Sequence, residues 1–220
     1  VLVVFGTGEA DAEGTVIVDF ETKWKYDLPL NYGEEYTYSV GPVAISADGK
    51  YIVTEASTRI EDEGGEATLE KGIFFFASDN STPLWNYSID YNYHSHSRQS
   101  ISISADGEYI AVASDNDKIF LFNKNSSTPL WIYQPKPIEV TPYIHKVVIS
   151  ADGNYIAATT EDYNKFRVHL FHRDNSTPLS VMEFDCENDD EECYRASTLL
   201  GISANGEYVT TGAGESVYLL

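Results

Sequence analysis

The sequence predicts an all-β fold, a β-propeller of four-stranded antiparallel blades with three complete blades and two partial ones. Two observations carry this: a gapless internal repeat, and a turn chemistry that recurs in phase with it. The repeat is Val43-Ala-Ile-Ser-Ala-Asp-Gly-Lys-Tyr-Ile52, Ile101-Ser-Ile-Ser-Ala-Asp-Gly-Glu-Tyr-Ile110, Val147-Val-Ile-Ser-Ala-Asp-Gly-Asn-Tyr-Ile156 and Leu200-Gly-Ile-Ser-Ala-Asn-Gly-Glu-Tyr-Val209. Its equivalent residues Asp48, Asp106, Asp152 and Asn205 are separated by 58, 46 and 53 positions. That period suits a four-stranded blade and is too long for leucine-rich or paired-helix repeats.

Each element follows from alternation and turn chemistry. In the clearest unit, residues 101–104 are a first strand, and Asp106-Gly107 supplies the positive φ of a tight hairpin. Tyr109 to Ser114 is the second strand, Asp115-Asn116-Asp117 a turn, and Lys118 to Asn123 the third strand. A Pro-containing turn, Asn125 to Pro129, leads into a fourth strand at Leu130 to Tyr133. Asn80 to Trp85 and Asn175 to Ser180 repeat that turn, so Pro83, Pro129 and Pro178 mark one position. This register makes 43–100, 101–146 and 147–198 complete blades. Residues 1–42 form a partial blade whose segment 1–28 supplies a second, third and fourth strand, and 199–220 supply a first, second and third. A propeller hides its strand edges by closing on itself, so the expected parent is a longer chain forming a ring of six to eight blades. The run Glu61 to Glu66 reads as an insertion between a second and a third strand.

The chain has 220 residues, 42% of them hydrophobic, with 16 Tyr and 10 Phe, a composition that favours a folded β protein. Its formal charge is -21, with only 14 Lys and Arg. Such a charge opposes binding to phosphate backbones or anionic membranes and favours cations or basic proteins. No stretch approaches the roughly 18 apolar residues of a membrane helix, so no direct span is expected.

At the blade ending, Leu121-Phe122-Asn123 runs on to Ser127-Thr128-Pro129-Leu130-Trp131. It resembles the endings of quinoprotein-like (PQQ-like) propellers, in which the Trp docks neighbouring blades. Trp24, Trp85 and Trp131 match that position, while Ser180 departs from it and implies a junction packed differently. The Ser-Ala-Asp-Gly-x-Tyr hairpin is similar to the hairpin of WD-repeat propellers, although their Gly-His and Trp-Asp pairs are missing. The resemblance implies a propeller fold. On the quinoprotein side it would also imply a redox enzyme holding PQQ in the central channel.

In such blades the fourth-to-first and second-to-third connections lie at one end. His94, His96 and Arg98 fall in one such connection, His145 in the next and Arg195 in the one after, with Asp115, Asp117, Glu161 and Asp162 in second-to-third turns. Together they form a candidate binding surface, and the His-x-His pair with carboxylates suits zinc or copper. Cys186 and Cys193 bracket a short acidic loop, the arrangement of a disulfide in an oxidising compartment. Asp185, Glu187, Asp189, Asp190 and Glu191 supply hard oxygen ligands there, which favour Ca²⁺. Glu9 to Gly14 imitates a calcium-loop spacing with Glu at two Asp positions. Asn80, Asn86, Asn125 and Asn175 begin N-glycosylation acceptor sequences. Nucleophile elbows, phosphate-binding loops and metalloprotease helices are absent from the sequence. The expectation is therefore a non-enzymatic extracellular or cell-surface binding and scaffold module that meets protein or glycan partners and can self-associate. The alternatives are a quinoprotein-like redox enzyme and a structural subunit of a surface layer or filament.

Overall fold

The computed structural model describes residues 3–5, 9–10, 16–17, 20–26, 36–61, 67–89, 100–114, 117–136, 142–162, 165–185, 199–213 and 216–220. The regular elements among these residues are all strands. β1 (Val3–Phe5) pairs with β4 (Phe20–Thr22), and β2 (Glu9–Ala10) with β3 (Val16–Ile17), which makes one interrupted hairpin. Three four-stranded antiparallel sheets follow in strict sequential order. They are β5 (Tyr36–Ile45), β6 (Tyr51–Glu61), β7 (Ala67–Ala77) and β8 (Trp85–Ile89); then β9 (Ser100–Ile103), β10 (Tyr109–Ser114), β11 (Lys118–Asn123) and β12 (Trp131–Tyr133); then β13 (Tyr143–Ile149), β14 (Tyr155–Asp162), β15 (Lys165–His172) and β16 (Ser180–Asp185). β17 (Leu200–Ile202), β18 (Val209–Ala213) and β19 (Ser216–Leu219) complete the described chain as a three-stranded sheet.

The repeated hairpin is built the same way four times. Ser104 Oγ donates to Asp106 Oδ1 at 2.7 Å, the same oxygen accepts Glu108 N, and Ser104 Oγ accepts Tyr109 N. Ser46 with Asp48, Ser150 with Asp152 and Ser203 with Asn205 reproduce the pattern. These short polar side chains satisfy the backbone where the chain reverses. They also hold the Asp152 carboxyl below its ordinary range, chiefly through the Ser150 hydroxyl.

Hairpins also bond to their neighbours. Ala47 N donates to Ala105 O, Ala105 N to Ala151 O and Asp152 N to Ala204 O, at 2.9 to 3.1 Å. The first strands lie side by side, β9 against β5 and β13, and β13 against β17. Ser100 Oγ and Ser102 Oγ accept Val147 N and Ile149 N across that contact. Side-chain hydroxyls thus cover amides that no ladder reaches.

The apolar core lies between blades rather than within them. Val53, Ile73 and Phe75 of one blade meet Ile110, Val112, Phe120 and Phe122 of the next. Ala113, Ile119 and Leu121 then meet Ile144, Ile156, Ala158 and Phe171. Inner strands are therefore buried on both faces, which explains runs such as Ile119-Phe120-Leu121-Phe122. A Trp-x-Tyr pair closes three of the described junctions. Trp24, Trp85 and Trp131 donate Nε1–H to the carbonyls of Ser78, Lys124 and Arg173 in the following blade, at 2.9, 2.7 and 2.7 Å. Tyr26, Tyr87 and Tyr133 pack two residues on, against Phe76, Phe122 and Phe171. Where Ser180 replaces the Trp, the aromatic contact moves to Phe184 against Tyr218, 4.7 Å between centroids. Trp131→Phe keeps a ring and loses the bond, leaving the Arg173 carbonyl unpaired. It should cost about 1–2 kcal/mol, read as a shift in urea midpoint at constant slope.

Three sequence expectations need correction. First strands begin upstream of the repeat core: at Tyr36 and Tyr143, where bulges between Val40 and Val43 and between Ile144 and Lys146 let pairing continue past an extra residue, and at Ser100, one residue early and without a bulge. Glu61 belongs to β6, whose ladder runs to the pair Glu61↔Ala67, so the insertion starts one residue later. Residues 23–26 carry no strand; Trp24 and Tyr26 dock there through side chains instead.

Candidate functional site

The blades have two unlike ends. One carries the hairpins and the Pro-containing turns, where the same residues make the same bonds in blade after blade. At the opposite end positions change character between blades, as Lys165 does against Glu70 and Asn116. There, β13, β14, β15 and β16 bring Tyr143, Glu161, Phe166 and Phe184 into one cross-strand row, with Ile144, Thr160, Arg167 and Glu183 in the next.

His145 is the extra residue of the β13 bulge, and the bulge turns its side chain inward until it is 3% exposed. Its Nε2 lies 3.0 Å from Glu161 Oε2, an ion-pair distance when the imidazole is protonated. On the other face of the sheet, Arg167 reaches Asp162 through Nη1 and Glu183 through Nε, the latter at 2.7 Å. Lys165 joins Glu183 at 2.7 Å and lies 3.8 Å from Asp185. The Lys165 ammonium and then the Arg167 guanidinium hold the Glu183 carboxyl down at about 2, so it is ionised throughout the physiological range.

Two expected locations change. His145 was expected in a connection and lies in β13; Glu161 and Asp162 were expected in a turn and lie in β14, because the ladder continues to the pair Asp162↔Lys165. Asp117 stands just before β11 at φ 59 and is buried. Of the candidate surface, the structure joins His145 to Glu161 and ties Asp162 to Arg167. His94, His96, Arg98, Asp115 and Arg195 lie outside the described residues, as do Cys186, Glu187, Asp189, Asp190, Glu191 and Cys193. Of the calcium set only Asp185 is described, and it is exposed. Within the sequence Glu9 to Gly14, Glu9 and Ala10 are in β2 and the rest are outside the described residues. Asn80, Asn86, Asn125 and Asn175 are all exposed, and the Oδ1 atoms of Asn80 and Asn175 accept the amides of Thr82 and Thr177.

Sequence reasoning passed over Glu55, Lys71, Thr160, Arg167 and His169, all buried. Comparing aligned repeats would have found two of them. Glu55 aligns with Ala113 and Thr159, and His169 with Phe74 and Phe120. The Thr160 Oγ1 and His169 Nε2 atoms are 2.9 Å apart, a spacing also found between nucleophiles and their bases. Here the pair is closed from solvent and, among the described residues, nothing orients His169 Nδ1, so the third member of such a constellation is not in place.

Solved structures share this arrangement. The chain is similar to the β-propeller domain of Cps50 (Swd1) from Myceliophteria thermophila, with a TM-score of 0.52 and 10% identity, over 82% of this chain and 51% of that one. It is likewise similar to the C-terminal WD40 domain of Sif2, with a TM-score of 0.58 and 14% identity, over 93% and 48% of the two chains. The fold is a WD-repeat-like β-propeller. The propeller of Dos1 is a third neighbour, with a TM-score of 0.52 and 13% identity, over 82% and 41%. The chain thus spans about half the length of the propellers it matches. No family model matches the sequence, nor does any curated protein.

Proposed function

We propose that this propeller is a non-enzymatic binding and scaffold module, whose partner contacts the unrepeated end of the blades. One observation carries the reading. Groups at the hairpin end are committed to bonds within the hairpins and between the blades, whereas the opposite end displays charges that change from blade to blade, such as Glu183, which stands where the other complete blades have Ser88 and Gln134. Repetition is what a scaffold needs and non-repetition is what recognition needs. With a net charge of -21 the complementary partner is basic.

A fluorescent ten-residue lysine peptide tests this at low salt. Glu161→Gln with Asp185→Asn should weaken binding several-fold, and Glu207→Gln at the hairpin end should leave it unchanged. Equal losses at both ends, or no binding at all, would sink the reading.

The module is proposed to work outside the cell or on its surface, which the four acceptor sequences and the Cys186–Cys193 spacing support. Intact mass before and after deglycosylation and reduction decides this. An unglycosylated chain with two free thiols would overturn it.

A further inference from the structure

We propose that the junction between the second and third complete blades is an acid-sensitive latch, with His169 as its sensor. The slot in question recurs. In the two other described junctions of this kind the Tyr of the Trp-x-Tyr pair meets a Phe: Tyr26 on Phe74 at 5.8 Å, and Tyr87 on Phe120 at 5.6 Å. In the third, Tyr133 meets His169 at 5.7 Å, and the imidazole stacks on Phe171 at 6.1 Å. An ionisable ring has thus been placed in an aromatic slot that its sister blades fill with hydrocarbon.

The surroundings accept only the neutral ring. His169 is 4% exposed, and Nε2 is matched by the Thr160 hydroxyl. Among the described residues no acceptor reaches Nδ1, which a second proton would require. The charged groups acting on it are Arg167, two residues along the same face of β15, and Glu183 across on β16. Glu183 is bound to Arg167 and Lys165, so it is not free to turn toward the imidazole. Tyr133 is the titratable group facing it from β12, and burial raises that phenol's pKa, so it stays neutral in acid. Burial first, and the Arg167 charge second, push the imidazole down from its ordinary 6.5 to about 4.

The sign follows by linkage. Above pH 6.5 both folded and unfolded chains hold a neutral imidazole, and the junction is at full strength. As pH falls from 6.5 toward 4 the open state takes up a proton that the closed state refuses. The closing equilibrium should therefore fall by about 300-fold in all, most of it across that window, and level off once pH drops below 4.

Exchange of the three indole Nε1–H protons, resolved by NMR, provides the test. Each is bonded across a different junction. Trp131 should lose protection between pH 6.5 and 4 while Trp24 and Trp85 hold theirs, and His169→Phe should abolish the difference. Equal loss at all three indoles would mean ordinary acid unfolding and overturn the proposal. So would an unchanged Trp131 profile in His169→Phe. Should that variant fail to fold, titration of the His169 ring carbons in the unaltered protein still decides: a midpoint near 6.5 refutes the latch and one near 4 upholds it.

Discussion

Glu55→Ala should destabilise the propeller by about 3–5 kcal/mol, the effect of removing one member of a buried ion pair. Glu55 on β6 and Lys71 on β7 form a salt bridge with both side chains 1% exposed or less, inside the junction lined by Val53, Ile73 and Phe75. Among the described residues Lys71 is the cation at the Glu55 carboxylate. Truncation would remove the carboxylate bonded to the buried Lys71 ammonium, and in a low dielectric the loss of that counter-charge is expensive. Lys71→Met strands the carboxylate and should cost a similar amount.

The double variant Glu55→Leu with Lys71→Met removes both desolvation penalties and adds apolar contact. It should return within about 1 kcal/mol of the original protein or exceed it. Urea unfolding of the four proteins at pH 7 measures this directly. If the single variants lose less than about 1 kcal/mol, water reaches the pair and the junction is open there.

This pair also shows where sequence reasoning stops. The hairpin was legible because its chemistry is local: Ser104, Asp106 and Gly107 satisfy one another within a few residues. Trp85 and Trp131 could be placed because the Pro turn keeps them in phase with the hairpin. Glu55, Lys71 and His169 depend instead on which neighbouring sheet covers them, and strand alternation is silent on that. Both faces of an inner blade strand are buried, so alternation between apolar and polar loses its meaning as a guide to exposure. Likewise His145 and Glu161 were each legible as members of one end of the blades. Their approach to 3.0 Å depends on a bulge that no residue type announces.

Gly153→Ala should cost about 2–4 kcal/mol and Gly49→Ala only about 1–2, although the two residues occupy the same position in the repeat. Both have a positive φ, 71° and 70°, so either alanine meets the same backbone penalty. They differ in what lies beyond the backbone. A Cβ on Gly153 would come within 2.7 Å of the Tyr109 ring of the preceding blade, whereas among the described residues one on Gly49 meets nothing within 4 Å. Tyr109 has little room to withdraw, because Arg173 sits over its ring at 4.9 Å and Trp131 bonds to the carbonyl of that same Arg173. The hairpin glycine therefore does two jobs, turning the chain and receiving the Tyr of the preceding blade. Subtracting the Gly49→Ala loss from the Gly153→Ala loss isolates the second job, since the turn contribution cancels. A difference of about 1–3 kcal/mol in urea would show that blades are fastened through this Tyr-on-Gly contact. Equal losses would reduce the glycine to a turn residue and leave blade fastening to the indole and backbone bonds alone.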